Sequence, residues 1–326
     1  MIIVTGATGF IGSNIVADLN AAGRSDIVLI DNLGTQDKWK NIAKRRFQDV
    51  VLPPEMEIYL RTLAGAEAVY HMGANSSTTA VDGDEILVNN FRTSKSLWEW
   101  CARTRTPYIY ASSAATYGDG AQGFKDDQSL EALSALRPLN LYGWSKHSFD
   151  KWAVEQSAVG NAPPQWCGLK FFNVYGPNEN HKGDMRSLVC KNTAIIAAGR
   201  PIKLFKSYKA EYADGEQLRD FVYVKDCTRV MLWLASQPQI NGIFNLGTGQ
   251  ARSFVALARA IGTALGQPLE IEFVEMPESI RANYQYFTQA DMGKLTAAGY
   301  QQPFHTLEEG VADYVREYLV QADIYR

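Results

Sequence analysis

The opening stretch limits the fold more than any other part of the chain. Ile2-Ile3-Val4-Thr5 is a continuous apolar run that stops at Gly6. A run without polar alternation reads as a parallel strand buried on both faces. Gly6-x-x-Gly9-x-x-Gly12 follows, overlapping a helical stripe of Ile11, Ile15 and Leu19. Strand, glycine turn and helix in that order form a cradle for a dinucleotide pyrophosphate. Gly6 permits the tight turn. Gly9 lets backbone N–H groups approach an anion at the positive helix end, and Gly12 allows the helix to pack closely on the strand. A second apolar run, Ile27–Ile30, ends in Asp31, about 20 residues past the glycines, where an acid reaches an adenosine ribose. Asp31 favours NAD. Lys38, nearby, suits the 2′-phosphate of NADP, or is a solvated loop lysine among Asp37, Trp39 and Lys40.

Composition narrows the class. The 326 residues are 46% hydrophobic and 21% charged with a net charge of −3, ordinary for a globular protein and too little basic for a nucleic-acid partner. Cys101, Cys167, Cys190 and Cys227 show no C-x-x-C pair, so reduced, buried thiols are expected rather than a metal site or disulfides. No apolar run reaches the length of a membrane span, and the N-terminus lacks a basic leader region. A cytoplasmic protein is expected.

Along the chain, strand patterns alternate with helical ones, at residues 66–71, 107–113 and 166–172 after the first two. This predicts a doubly wound parallel sheet. The strand at 66–71 runs into Met72-Gly73-Ala74-Asn75-Ser76, whose small residues allow a close cofactor approach. His71, at that strand end, reads as a structural group. In the long helical period over 85–103, Asn89 is expected to face inward. The strand at 107–113 ends in Ser112-Ser113, where a hydroxyl can serve a reacting oxygen or cap a turn.

Tyr142 and Lys146 are four residues apart, so a helix puts both side chains on one face. A phenol titrates near pH 10, and an adjacent ammonium is expected to lower that value. The pair is a candidate proton acceptor for a sugar hydroxyl. The next strand runs into Asn173-Val174-Tyr175. Both Arg219–Val224, by number 219–224, and 243–246 are expected to return to the main sheet. Arg219 is a candidate diphosphate clamp; the alternative is an ion pair with Asp220 or Glu216. Residues 307–319 read as a closing amphipathic helix.

Gly6-x-x-Gly9-Phe10-Ile11-Gly12, Ser112-Ser113 and Tyr142-x-x-x-Lys146 together resemble the extended short-chain dehydrogenase/reductase superfamily. Phe171-Phe172-Asn173-Val174-Tyr175-Gly176-Pro177 and Arg219-Asp220-Phe221-Val222-Tyr223 point to its nucleotide-sugar branch. With His181-Lys182-Gly183 and Phe287-Thr288-Gln289-Ala290-Asp291, the chain resembles the ADP-L-glycero-D-manno-heptose 6-epimerase family. The resemblance implies a Rossmann domain over 1–172, completed by about 220–250, and an interleaved α/β substrate lobe over 173–219 and 251–326. It implies bound NADP, with NAD as the alternative, and epimerisation of an ADP-heptose at carbon 6 for the lipopolysaccharide inner core. It also implies a homopentamer.

Residue by residue, the resemblance makes Tyr142 and Lys182 the two acid/base groups, although Lys182 by position alone reads as a surface lysine. Lys146 becomes the cofactor-binding lysine and Ser113 the active-site hydroxyl. Gly6, Gly9, Phe10, Ile11, Gly12, Asp31, Asn32, Lys38, residues 72–76, Asn89, Val174 and Lys182 become cofactor contacts. Ser113, Asn173, Phe205, Arg219 and Tyr284 become substrate contacts, together with Asp184 and Lys191, which stand where the family uses serine and histidine. Residues 205–219 look longer than in the family, and there Lys206 and Lys209 face either a diphosphate or solvent. A UDP-hexose 4-epimerase shares most of these motifs. A non-catalytic NADP sensor would need no Ser113, Tyr142 or Lys146.

Overall fold

The computed structural model describes residues 1–281 and 284–326. Seven strands form the central sheet: β1 (Ile2–Thr5), β2 (Ile27–Ile30), β3 (Asp49–Val51), β4 (Ala68–His71), β5 (Tyr108–Ser113), β6 (Trp166–Phe171) and β10 (Gly242–Leu246). Their order is β10-β6-β5-β4-β1-β2-β3, and every pairing is parallel. The inner strands are buried along their whole length, which explains their uninterrupted apolar runs. Alternate side chains feed two cores. Ile2 and Val4 join one, and Ile3 joins the other.

The chain winds outward from β1 to β3, then crosses back to place β4 on the other side of β1. The crevice between β1 and β4 is therefore the topological switch point, where open α/β sheets bind ligands. The glycine turn lies in it. Gly6 has φ +62°, and a Cβ there would stand 2.6 Å from the Gly73 amide nitrogen. A Cβ at Gly12 would collide with the Gly6 carbonyl oxygen. Both positions thus exclude a side chain, one through backbone conformation and both through close approach.

A third core packs the Leu188–Ala197, Phe254–Leu265 and Leu307–Tyr314 helices against two small sheets. The pairs are β7 (Asn173–Tyr175) with β9 (Leu218–Tyr223) and β11 (Ala251–Ser253), and β8 (Ile202–Phe205) with β12 (Ile271–Val274). The expectation for 219–224 is corrected here. Residues 219–223 lie in β9, which pairs with β7 and β11 rather than with the central sheet, and Val224 begins the next helix. The edge beside β6 is already taken by β10, while β7, directly after β6, leaves an edge free in the smaller sheet. Residues 243–246 do return to the main sheet. The four cysteines are free and buried.

Candidate active site

The C-terminal ends of the central strands open onto a cavity of about 840 Å³. Its wall holds Gly6, Gly9, Phe10, Ile11, Gly12, Asp31, Lys38, Met72, Gly73, Ala74, Asn75 and Ser76, and across from them Ser113, Tyr142, Lys146, Asn173, Val174, Lys182 and Lys191. Residues from widely separated segments thus meet in one place. Lys38, Lys146, Lys182, Arg186 and Lys191 face Asp31 as the cavity's one carboxylate among the described residues. A concave site with that balance suits an occupant carrying several phosphates.

At the end of β2, Asp31 is buried and fully engaged. Oδ2 accepts from Thr8 N–H at 2.9 Å and from the Thr8 hydroxyl at 2.7 Å. Oδ1 accepts from Asn32 N–H at 2.8 Å and from Lys38 Nζ at 2.7 Å. The two residues that argued for different cofactors are partners of each other.

Tyr142 and Lys146 stand on the Leu141–Ala158 helix, whose N-cap Asn140 accepts from Gly143 N–H at 2.8 Å. Tyr142 is half-buried and Lys146 is 3% exposed. Burial pushes Lys146 down to about 8, with Asp150 opposing. Tyr142 departs from the simple expectation. Burial raises its pKa, the nearby Ser113 hydroxyl works the other way, and Asp150 raises it further. The desolvation of the phenolate outweighs what its neighbours give back. Lys182 is half-buried, with Nζ 5.1 Å from the centre of the Phe10 ring. Burial lowers its pKa and Glu179 opposes that.

Several expected contacts lie elsewhere. Asn89 is exposed, its side chain 3.4 Å from Glu85. Asn90 is the buried one: it accepts from Asn75 N–H at 2.8 Å and donates to Asn75 O at 2.9 Å and Ser145 Oγ at 3.0 Å. The cause is a π-helical turn over Leu87–Arg92; its extra residue shifts the inward face by one position. Asn32 is exposed beside the cavity, its backbone carbonyl accepting from Lys38. Asp184 is exposed on a short helical turn, Asn180–Met185, and does not line the cavity.

Phe205, Arg219 and Tyr284 form an adjoining cluster instead. The Arg219 guanidinium lies 5.2 Å from the Tyr284 ring and 5.6 Å from that of Phe254, and Phe254 does line the cavity. The Phe205 and Tyr284 rings are 6.4 Å apart. Arg219 donates to the carbonyls of Leu218 and Gln285, and among the described residues it has no carboxylate partner. Asp220 is occupied by Thr248, Gly249 and Ala290. Lys206 is held by Glu275 at 2.8 Å, and Lys209 lies 4.9 Å over the Tyr286 ring. His71 is a strut between Thr5 Oγ1 at 2.6 Å and Ser94 Oγ at 2.9 Å, and burial holds its pKa well below the ordinary value.

Sequence reasoning missed a buried network behind the dyad. Asp150 accepts from the hydroxyls of Tyr110 (3.0 Å) and Ser112 (2.7 Å) and from Lys170 Nζ (2.7 Å). Lys170 also donates to Thr116 Oγ1 at 2.6 Å. Asp150 continues the Tyr142, Lys146 spacing by one more step of four, a signal readable in the sequence.

Residues 2–247 match the NAD dependent epimerase/dehydratase family. An ADP-L-glycero-D-manno-heptose-6-epimerase of Nitratidesulfovibrio vulgaris is 49% identical over 326 residues, with 99% of each chain covered. One of Fusobacterium nucleatum is 48% identical over 334 residues, with 100% of each covered. The chain belongs to the ADP-L-glycero-D-manno-heptose 6-epimerase branch of this family. The crystal structure of the Helicobacter pylori ADP-L-glycero-D-manno-heptose-6-epimerase matches this epimerase chain with a TM-score of 0.81 at 26% identity, covering 97% of this chain and 95% of that one. Thermus thermophilus UDP-glucose 4-epimerase, complexed with NAD, shares the fold with a TM-score of 0.75 at 24% identity, covering 96% and 97%. Family membership brings a nicotinamide dinucleotide to this chain. The residues present fit one: a glycine cradle at the switch point, a ribose-end acid and cation, and a buried lysine whose ammonium finds no hydrogen-bond partner among the described residues.

Proposed function

We propose that the protein interconverts ADP-D-glycero-D-manno-heptose and ADP-L-glycero-D-manno-heptose by transient oxidation at carbon 6, serving the lipopolysaccharide inner core. The observation that carries this reading is the convergence of Ser113, Tyr142, Lys146 and Lys182 on one cavity with the glycine cradle. A bound nicotinamide would supply the reversible hydride chemistry that oxidation at carbon 6 and its reversal require.

The chain's own residues do the rest. Ser113 holds the reacting oxygen by a hydrogen bond. Tyr142 exchanges the hydroxyl proton on one face, and Lys146 would hold the nicotinamide ribose and adds positive charge beside the phenol. Lys182, reaching in from the segment after β7, exchanges the proton when the oxygen points the other way. The lowered pKa of Lys182 makes its neutral form accessible, which a proton acceptor needs. Arg219, stacked between aromatic rings and without a carboxylate, is the clamp for the nucleotide diphosphate.

NADP is the favoured cofactor. All four acceptor positions of Asp31 are taken within the protein, so the carboxylate has little left for a ribose hydroxyl. Lys38 stands ready at the same spot for a 2′-phosphate. We assign the cofactor to the seven-stranded sheet and the sugar to the lobe of residues 173–219 and 251–326. Among the described residues no helix is long and apolar enough to cross a membrane; a cytoplasmic homo-oligomer, pentameric as in the family resemblance, is the reading we adopt. Incubation with the ADP-heptose and, separately, with UDP-galactose, each followed by NMR, tests the substrate. Conversion of the heptose alone supports the reading; conversion of UDP-galactose alone replaces it with a 4-epimerase.

A further inference from the structure

The segment that presents Lys182 is closed by one buried carboxylate. Glu179 is 0% exposed, yet among the described residues it forms no ion pair. Its Oε2 accepts from Ser187 N–H at 2.6 Å, and its Oε1 accepts from the Ser187 hydroxyl at 2.6 Å and more weakly from Gly176 N–H at 3.4 Å. These contacts tie residue 176 to residue 187 across the loop that carries Lys182. The outer side of the same loop is pinned to the glycine-loop helix. Asn14 donates to Pro177 O at 2.9 Å, and Asn178, at φ +72°, donates to Ser13 Oγ at 3.0 Å. His181 Nδ1 lies 3.1 Å from Asn41 Nδ2, which itself donates to Thr8 O at 2.8 Å. Lys182 is thus held between the cofactor cradle on one side and Glu179 on the other.

Burying a carboxylate without a cation is costly, and a loop can be closed by neutral groups. Burial raises the Glu179 pKa, and the Ser187 hydroxyl and N–H, Lys182 and the Gly176 N–H oppose that; a nearby function for the charge accounts for its being kept. We propose that Glu179 is a positioning residue for Lys182, fixing its loop and supplying the negative field under which its amine works. The proposal rests on the reading of Lys182 as the second acid/base group. The charged and titratable groups around the pair are few. Glu179 faces Lys182, the Cys190 thiol of the Leu188–Ala197 helix and the Tyr314 hydroxyl of the Leu307–Tyr314 helix, which has no hydrogen-bond partner among the described residues. Lys182 also faces the Cys190 thiol, Lys191 and His181. Burial and Lys191 favour the neutral amine, while Glu179 first and Cys190 second favour the ammonium. With those influences opposed, Lys182 can occupy either form.

The test uses the NADP-loaded protein and each of the two heptose epimers in single turnovers, read by the absorbance of reduced nicotinamide. Glu179→Gln removes the charge and keeps the size. It slows reduction from the epimer served by Lys182 by about 10- to 100-fold and leaves the other epimer within a few-fold. The pH dependence for the affected epimer moves to lower pH, and so does the midpoint for reductive methylation of Lys182, which needs no turnover. Ser187→Ala, which keeps the charge and loosens the loop, slows the same epimer without moving the pH profile. It decides the matter if the glutamine variant does not fold. Equal slowing of both epimers, or none in either variant, overturns the proposal. Lys182→Ala run alongside separates the two ideas: near-normal turnover there removes the acid/base role itself, whatever Glu179 does.

Discussion

Burial makes the Lys146 ammonium costly to the folded protein. Replacing Lys146 by Met keeps the stem and removes the charge. In the folded protein without cofactor, burial lowers the lysine from 10.5 to about 8. At roughly 1.4 kcal/mol per pH unit, that holds about 3 kcal/mol against the charged form. The sign follows from proton binding. Below pH 8 both folded and unfolded chains carry the proton, and the penalty is full. Between about 8 and 10.5 the unfolded chain keeps a proton that the folded chain has shed, so stability rises with pH. Lys146→Met is therefore about 3 kcal/mol more stable than the parent at pH 7, and the gap shrinks below about 1 kcal/mol by pH 10. Urea unfolding of both cofactor-free proteins across that range reads it directly. The variant loses epimerase activity throughout. A variant less stable than the parent at pH 7, or a gap that does not change with pH, refutes the reasoning.

Other substitutions test other parts of the site. Lys182→Ala slows epimerisation by about 100-fold or more while NADP stays bound, checked by turnover and by the cofactor's absorbance after gel filtration; near-normal turnover sinks the two-base reading. Asp150→Ala strands Lys170, which is 1% exposed, and costs about 3–5 kcal/mol in chemical denaturation. Asp150→Leu with Lys170→Met removes both charges and costs less than the single change. Lys38→Ala weakens NADP by about 10- to 100-fold, the worth of a charged hydrogen bond, and NAD far less; equal losses in calorimetry would show that Lys38 does not read the 2′-phosphate.

The glycine cradle and the tyrosine–lysine dyad are legible in the sequence because both are local. A strand, a turn and a helix follow one another without interruption, and a spacing of four defines a helix face. What escapes the sequence depends on long-range or irregular structure. Asn90 rather than Asn89 faces inward because one π-helical turn displaces the periodicity by a residue. The strand at 218–223 carries a pattern that fits either sheet, and only the occupation of the β6 edge by β10 decides between them. Glu179 looks like a surface acid in the sequence, since its partner Ser187 lies eight residues away; Asp150 shares the helix spacing of Tyr142 and Lys146, but its partner Lys170 lies twenty residues away. Lys182 is the converse case. Its spacing says nothing, and its place in the cavity comes from the loop that carries it.

The central claim is that carbon 6 is inverted by removing and returning the same hydrogen. Running the reaction in heavy water on ADP-D-glycero-D-manno-heptose, with NMR of the product, examines it most directly. The account predicts complete equilibration of the epimers with no deuterium at carbon 6. Deuterium at that carbon, or no conversion by protein carrying NADP, contradicts it.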